Sequence, residues 1–376
     1  MNHRFKTYLK AVLFFTFSSV VMAGQLDLGA QYVGWNSNYV QPFNGWELWA
    51  PLSLSFKLDP GIGIYAQTEY GLGNYTDSFG GNTETIQLNN FSDSVIGTEI
   101  SFKSFSVPSI LNIGINLPTG DQTWETKQIA SSIPTDFINS RYRGRGLGVS
   151  AMYGFSVPAG SANIGMAVGY SYGGTFDPTS GSAVDTGQLK LGDALFVAFN
   201  HVQPFSGNQS QIIRMSSFYF LSTQQSGSNI YQAGPNINAS YSWINPAAFS
   251  FDLGAQYYFP AQIPTNGQLV TEPQDSLGPR LYLSPSYVFG DLTVAGVAKY
   301  VLPNGYGISD TFYDGGGFLF GIEPSYRLKL DDASALKFAA GYDSIIALNA
   351  ALDANGVKTN VLYNYWTFGT SYEVKL

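Results

Sequence analysis

Cysteine is absent from this sequence of 376 residues, and histidine occurs only twice. Without cysteine, a small fold held by disulfides and a metal site built from thiolates are both excluded. No run of apolar residues approaches the roughly 18 that a transmembrane helix requires, so no helical membrane span is expected. Charged residues amount to only 12%, which is too few for a typical soluble surface.

Aromatic residues and glycine are abundant instead. The chain has 25 Tyr, 27 Phe, 6 Trp and 42 Gly, yet its mean hydropathy of -0.01 is too low for a helical membrane protein. Strands with one apolar and one polar face explain both observations, because an apolar outer wall and a polar interior average to a hydropathy near zero. The formal net charge of -8 argues against a nucleic-acid partner, since nucleic-acid binding relies on basic residues.

The clearest alternation lies in residues 365–376. Its apolar positions are mostly large and aromatic, and its other positions are polar or small, which is the period-2 pattern of a strand with two different faces. A terminal strand of this kind resembles the C-terminal signal of bacterial outer-membrane β-barrels, which implies the barrel-assembly machinery as a partner. The alternative is a half-buried edge strand of a soluble β-sandwich.

The first 23 residues have the features of a secretory signal peptide. A basic start is followed by a largely apolar stretch over 11–21, and small residues precede a predicted cleavage site after Ala23. Cleavage there leaves one domain, residues 24–376. We expect that domain in the outer membrane of a Gram-negative bacterium, in contact with the outer-membrane lipids.

Alternating segments recur along this domain and predict an all-β fold, a transmembrane antiparallel up-and-down β-barrel of about 16 strands. Short turns and long loops alternate between the strands, with both termini on the same side, as in bacterial barrels. Fourteen or eighteen strands stay open as alternatives. The predicted strands are 26–34, 46–58, 62–72, 86–103, 105–117, 145–156, 162–173, 188–202, 211–222, 230–243, 249–259, 278–289, 292–302, 316–330, 334–347 and 360–376.

Closure of the sheet follows from the chemistry of the bilayer. Every backbone N–H and C=O in hydrocarbon must be paired within the protein, and an open sheet edge would leave a row of them unpaired. Aromatic residues near the predicted strand ends are typical of the girdles at the two membrane surfaces, although ordinary cross-strand pairing is the alternative. These residues are Trp46, Tyr70, Tyr172, Trp243, Tyr300 and Trp366.

If the apolar set faces lipid, most charged residues of the strands point into the interior. An Arg or Lys facing lipid at the midplane costs about 2–4 kcal/mol, so inward placement is favoured. These residues either line a solute path and set its selectivity or form ion pairs that brace the wall. The inward candidates for the solute path are Glu69, Glu99, Arg214, Asp252, Arg280, Glu323 and Arg327.

The longest predicted loop, 118–144, is the main candidate for a constriction. Long loops of barrels are often functional, and we predict that this one narrows or caps the interior, with its arginines facing carboxylates of the wall. The alternative is a solvated surface loop. Its candidate residues, with the first residue of the next strand, are Trp124, Lys127, Asp136, Arg141, Arg143 and Arg145.

An enzymatic function is not expected. Once the signal peptide is removed, His201 is the only histidine, and it lies near a short turn, at the opposite end from the loops. Nucleophilic catalysis of the Ser-His type needs a histidine beside the nucleophile. Metal sites need clustered ligands, so neither a metal nor a cofactor is predicted.

One stretch carries a family resemblance. Residues 111–121, Leu-Asn-Ile-Gly-Ile-Asn-Leu-Pro-Thr-Gly-Asp, read as a strand that runs into a loop, and the glycine-rich strand 146–155 follows. Over about residues 90–200 the chain resembles the meta-pathway phenol-degradation family of outer-membrane proteins. The resemblance implies a barrel that admits small, often aromatic or apolar, solutes, and it carries over no catalytic residue.

The sequence therefore predicts a passive, porin-like outer-membrane channel for small, aromatic or apolar solutes. The alternative is a non-transporting barrel, structural or adhesive, whose interior is plugged by side chains and loops.

Overall fold

The computed structural model describes residues 23–37, 44–79, 82–120, 144, 146–177, 187–265, 268–272, 278–302, 316–352 and 358–375. Strands account for most of this part of the chain, and the one helical segment is a short 3-10 turn at Ser206–Asn208. In these ranges no helix has the length and apolar character needed to cross a membrane.

The strands, in chain order, are β1 (Ala23–Ser37), β2 (Asn44–Asp59), β3 (Ile62–Phe79), β4 (Asn82–Phe91), β5 (Ser94–Ser104), β6 (Val107–Leu117), β7 (Gly148–Ala159), β8 (Ala162–Gly173), β9 (Thr175–Phe176), β10 (Leu189–Lys190), β11 (Ala194–Pro204), β12 (Ser210–Phe220), β13 (Thr223–Gln225), β14 (Ser228–Tyr231), β15 (Asn236–Ile244), β16 (Phe249–Tyr258), β17 (Ala261–Thr265), β18 (Gln268–Glu272), β19 (Gly278–Phe289), β20 (Leu292–Val301), β21 (Gly317–Lys329), β22 (Ser334–Leu352) and β23 (Lys358–Lys375).

The main sheet closes on itself. Its strands pair antiparallel with their neighbours along the chain, and β1 also pairs with β23, from Gln25 opposite Lys375 to Ser37 opposite Tyr363. Within the described residues seventeen strands belong to this sheet. Because β4 and β5 both pair with β3, they share one position in the wall. The result is a closed barrel of sixteen strand positions, which confirms the predicted count against fourteen or eighteen.

Side chains alternate between the outside and the interior of the barrel. On β2 the side chains of Trp46 and Leu48 are exposed, whereas those of Glu47 and Trp49 are buried. The curvature of a closed wall crowds inward side chains together and spreads outward ones apart, so the buried set is the inner one. The same parity holds around the barrel, where the exposed large residues, such as Val168, are apolar and outward.

Short turns join the strands at one rim, called here the short-turn rim. Phe105 and Ser106 both have positive φ, 51° and 68°, as the central residues of a two-residue type I′ hairpin turn do. The predicted strands 86–103 and 105–117 place this turn near residue 104, one to two residues early, because the turn lacks the usual Asn-Gly signal. At the Asp59-Pro-Gly turn, the Asp59 carboxylate accepts a hydrogen bond from Gly61 N at 3.2 Å.

Two predictions near β4 were wrong. Residues 73–85, predicted as a loop, belong largely to a β3–β4 hairpin that pairs as far as Phe79 opposite Asn82. The predicted single strand 86–103 is interrupted at Ser92 and Asp93. The physical reason is that Asp93 turns its carboxylate toward the next strand pair, where it accepts hydrogen bonds from other chain segments.

A second interruption of the strands lies at the opposite rim. The predicted strands 188–202 and 230–243 are broken, and β9, β10, β13 and β14 form a separate four-stranded sheet. We call the junction of the two sheets, residues 173–175, 191–193, 221–222 and 232–235, the kink line. Its glycines lie so close to carbonyl oxygens of neighbouring strands that a Cβ atom would collide with them; these are Gly174, Gly192 and Gly234.

Two further boundaries differ from the prediction. The strand expected from 145 begins at Gly148, because Gly146 has a φ of 85° and its carbonyl accepts a hydrogen bond from the Asn116 side chain at 2.7 Å. A positive φ of this kind interrupts the extended backbone of a strand. The predicted loop 260–276 contains the β17–β18 hairpin.

Candidate functional site

The seven strand residues predicted to line a solute path all lie at inward positions. Each is flanked along its strand by outward residues, as Arg214 is by the exposed Ile213 and Met215, and Glu323 by Ile322. They are distributed around the barrel on β3, β5, β12, β16, β19 and β21, so the fold brings only some of them together. Whether they select solutes stays a prediction.

The loop candidates Trp124, Lys127, Asp136, Arg141, Arg143 and Arg145 lie outside the described residues. The structure does describe Gly120 and Gly144 on either side of that segment. A Cβ atom on Gly120 would be 2.9 Å from the Cα of Gly144, so the two backbones approach closely. The Gly120 N–H donates to the Asp93 carboxylate at 3.0 Å, and the Asn116 side chain donates to it at 2.7 Å. The predicted constriction by this loop stays a prediction.

The interior has one wall of small side chains. A cavity of about 730 Å³ runs along it, and we call this cavity the groove. Its inward lining consists mainly of glycine, alanine, serine and asparagine, and it carries Arg214 and Tyr282 at one edge. Small inward residues leave the room that larger side chains would fill. The small or amide-bearing inward lining residues are Gly154, Ser156, Asn163, Gly165, Ala167, Ala198, Asn200, Ser216, Asn238 and Ser240.

Arg214 belongs to a hydrogen-bonded chain across three strands at the edge of the groove. Its guanidinium donates to Ser242 Oγ at 2.7 Å, and Ser242 Oγ donates to the Asp252 carboxylate, also at 2.7 Å. The Tyr282 hydroxyl interacts with Ser240 and Asp252. These contacts orient the side chains, and Arg214 itself is exposed to the interior.

Above the groove, three inward phenylalanines form a row that we call the aromatic track. The Phe196 and Phe218 ring centroids are 5.7 Å apart, and those of Phe218 and Phe220 are 6.3 Å apart, with interplanar angles of 25° and 13°. Phe196 lies across Gly169 of β8, where a Cβ atom would collide with its ring. The rings therefore lie against the wall and present apolar surface to the interior.

The opposite wall is filled by large side chains. Trp35, Trp49, Tyr363 and Tyr365 are buried, as is Glu47, and the Trp49 indole N–H donates to the Glu47 carboxylate at 2.6 Å. The two indole rings lie over glycines of neighbouring strands, in the manner of Phe196. The interior is thus asymmetric, with bulk on one side and the groove on the other.

Arg327 forms an ion pair of the kind considered as the alternative for the inward charges, and its role stays a prediction. Its guanidinium pairs with Glu373 of β23 at 2.9 Å near the short-turn rim. Lys329 pairs with Asp332 at 2.7 Å in the neighbouring turn. Each of these exposed pairs contributes little stability. Their four charged side chains line a second cavity of about 500 Å³ at this rim.

His201 lies near the short-turn rim, as expected, but at an outward position of β11 between Ile164 and Ile213 of the adjacent strands. Its Nδ1 has no hydrogen-bond partner among the residues that the structure describes. Within the described ranges no group of three or more His, Cys, Asp or Glu side chains is placed to hold a metal ion.

The fold and its inner face define a class: a closed antiparallel barrel with an apolar outside, a partly polar interior and a groove along one wall. No protein-family model matches this chain, and no curated protein matches it. The resemblance to the phenol-degradation family is therefore not confirmed.

Solved structures of this class do match. The outer membrane protein OpdK from Pseudomonas aeruginosa aligns over 94% of this chain and 99% of its own, with 9% identity and a TM-score of 0.50. A second structure, titled OccK1 (OpdK), aligns over the same shares with 10% identity and a TM-score of 0.50. At these identities the similarity concerns the fold, which this chain shares along nearly its whole length.

The sequence did not reveal the aromatic track or Tyr282. The signal was present, since Phe196, Phe218 and Phe220 occupy the inward parity of their strands. The sequence prediction considered only charged residues as inward candidates. An inward aromatic residue cannot be distinguished from an outward apolar one until it is known which alternate positions of the strand face the interior.

Proposed function

We propose that this protein is a passive outer-membrane channel for small solutes, with its outward apolar band in lipid and its solute path along the groove. The observation that carries the proposal is the asymmetric interior, in which small residues line about 730 Å³ of space beside a wall of bulky ones. A barrel that served only as a support would gain from larger side chains at those positions, because they would fill the space.

The solutes we propose carry an aromatic ring. The aromatic track presents three phenylalanine rings to the interior, and flat rings interact with such a surface by offset or tilted stacking. Below the track the solute reaches Arg214 and the serine and asparagine side chains of the groove, which suit polar substituents. The path thus favours small molecules with an aromatic part and a polar part.

Solute uptake by liposomes that contain the purified barrel tests this proposal. Phenylalanine and leucine are matched probes, since both are zwitterions of similar size and only one has a ring. At concentrations well below saturation, we expect Phe218→Leu to lower the phenylalanine-to-leucine uptake ratio about threefold, because a ring–ring contact contributes about 0.5–1.5 kcal/mol.

Phe320→Leu is the matched control, since Phe320 is outward and 53% exposed, and it should leave the ratio unchanged. An unaltered ratio in Phe218→Leu would contradict aromatic preference while leaving the channel itself intact.

A second candidate is a structural or adhesive barrel with a plugged interior. The near-complete burial of Trp35, Trp49 and Tyr365 on the inner wall favours it. Planar-bilayer recordings separate the two functions, because a plugged barrel gives no conductance steps. In both cases we propose that β23, the last strand, is the segment that the barrel-assembly machinery recognises.

A further inference from the structure

Two carboxylates that have no cation partner among the described residues lie on the bulky wall, half-way round the barrel from the groove. Asp343 of β22 lies against Gly321, its cross-strand neighbour on β21, and Glu323 follows two residues later on that strand. The two groups are close enough to interact electrostatically. Neither forms an ion pair or a hydrogen bond with any residue in the described part of the chain.

The Tyr365 hydroxyl is an independent observation at the same place. Tyr365 pairs directly with Asp343 across β22 and β23 and is only 2% exposed. Its hydroxyl has no hydrogen-bond partner among the residues that the structure describes. It interacts electrostatically with Asp343 and with Glu47. Buried hydroxyls are nearly always hydrogen-bonded in folded proteins. A buried hydroxyl and two carboxylates that all lack a partner among the described residues are therefore suited to bind a ligand that donates hydrogen bonds.

We propose that Asp343, Glu323 and Tyr365 form a subsite for the ammonium group of a small organic cation in the middle of the channel. An ammonium group carries three N–H donors and no acceptor, which matches two carboxylates and a phenol oxygen. Hydrogen bonds between ionised partners are roughly twice as strong as neutral ones. The inference depends on the proposed channel function in one respect only, which is the route by which the cation reaches the subsite.

The surroundings favour an organic cation over a metal ion. Calcium takes six to eight oxygen ligands, and the described residues hold no group of three acidic or histidine side chains that would supply them. Trp35 pairs with Tyr365 from the other side, so an aromatic ring borders the subsite. Aromatic faces attract organic cations, and alkyl groups on the nitrogen find apolar surface there.

The test uses n-butylammonium chloride as the probe and the full-length barrel in detergent, with tryptophan fluorescence as the readout because Trp35 borders the subsite. We expect a saturable change with wild type. The double variant Asp343→Asn/Glu323→Gln should raise the half-saturating concentration about tenfold or more, and Tyr365→Phe about threefold.

Glu373→Gln is the matched control. It removes one inward negative charge from the neighbouring strand at a residue already paired with Arg327, and it should shift half-saturation less than twofold. The proposal is overturned if wild type shows no saturable response, if n-butanol gives the same response, or if Glu373→Gln shifts it as much as the double variant. Binding of calcium chloride at lower concentration than the probe would also overturn it, in favour of a metal site.

Channel recordings on the wild-type barrel separate this proposal from the channel itself. If wild type shows no saturable binding of n-butylammonium but conducts normally, the result counts against the subsite alone. Absence of conductance with binding retained counts against the channel alone.

Discussion

Val168→Arg should destabilise the barrel by about 2–4 kcal/mol, because we propose that Val168 faces lipid near the middle of β8 and an arginine there must enter hydrocarbon. Val168 is 54% exposed and outward, at the seventh of the twelve positions of its strand. The free energy of unfolding, measured by urea titration of the barrel in lipid vesicles with tryptophan fluorescence, gives this value directly.

The neighbouring residue supplies the control. Ala167 has the opposite parity and lines the groove, where an added guanidinium remains in contact with water. Ala167→Arg should therefore change the free energy of unfolding by less than about 1 kcal/mol. Equal destabilisation by the two substitutions would contradict the assignment of the outward face to lipid, and with it the proposed membrane location.

Asp193→Ala should destabilise the barrel by about 2–3 kcal/mol, because its buried carboxylate accepts hydrogen bonds across the kink line and hydrogen bonds to charged groups are the stronger ones. Asp193 is 7% exposed. It accepts hydrogen bonds from Tyr170 Oη at 2.5 Å and from Gly173 N at 3.1 Å, and Lys190 Nζ lies 3.3 Å away. Its own carbonyl accepts from Leu221 N at 2.8 Å.

Urea titration also measures the free energy of unfolding of Asp193→Ala. Limited proteolysis localises the change, because local unfolding at the kink line should create cleavage sites around 187–193. Asp332→Ala is the control. Asp332 has a fully exposed side chain whose ion pair in the described part of the chain is with Lys329, and exposed pairs contribute at most about 1 kcal/mol. If Asp193→Ala and Asp332→Ala unfold at the same urea concentration, the kink line does not depend on this carboxylate.

The same carboxylate gives a pH dependence. Burial alone raises the pKa of Asp193, but the hydrogen bonds from Tyr170 and Gly173 and the charge of Lys190 outweigh it, so the pKa lies below its ordinary value. A lowered folded-state pKa stabilises the protein above the unfolded value of about 3.9. Its contribution should be present near neutral pH and be lost as the pH falls below about 4 through the folded-state pKa, and Asp193→Asn should lack this change.

The periodicity of the sequence was enough to predict sixteen strands and the inward parity of residues such as Glu323 and Arg214. It failed where side chains redirect the backbone. Asp93 and Asp193 occur in stretches that alternate well enough to read as continuous strands, and their hydrogen bonds to other segments break those strands. No local sequence pattern predicts that a carboxylate will accept a hydrogen bond from a backbone N–H twenty or more residues away in the chain.

Part of the candidate site was predictable and part was not. Arg214 and Asp252 were identified as inward charges, but the serine that links them, Ser242, carries no signal of its own in the sequence. The pairing of Asp343 with Tyr365 and the contact of Phe196 with Phe218 depend on which residues lie opposite each other in adjacent strands. Register of this kind is set by the whole closed sheet, because a slip of one residue would turn every inward side chain outward.

By itself, the sequence determined that the chain forms a barrel with an apolar outside, since a two-residue period of apolar and polar side chains has few other stable arrangements at this length. The tertiary structure alone decided which inward residues meet, where the strands of the wall are interrupted and which side of the interior holds the groove. These features arise from contacts between strands that are distant in the sequence, and closure fixes all of those contacts at once.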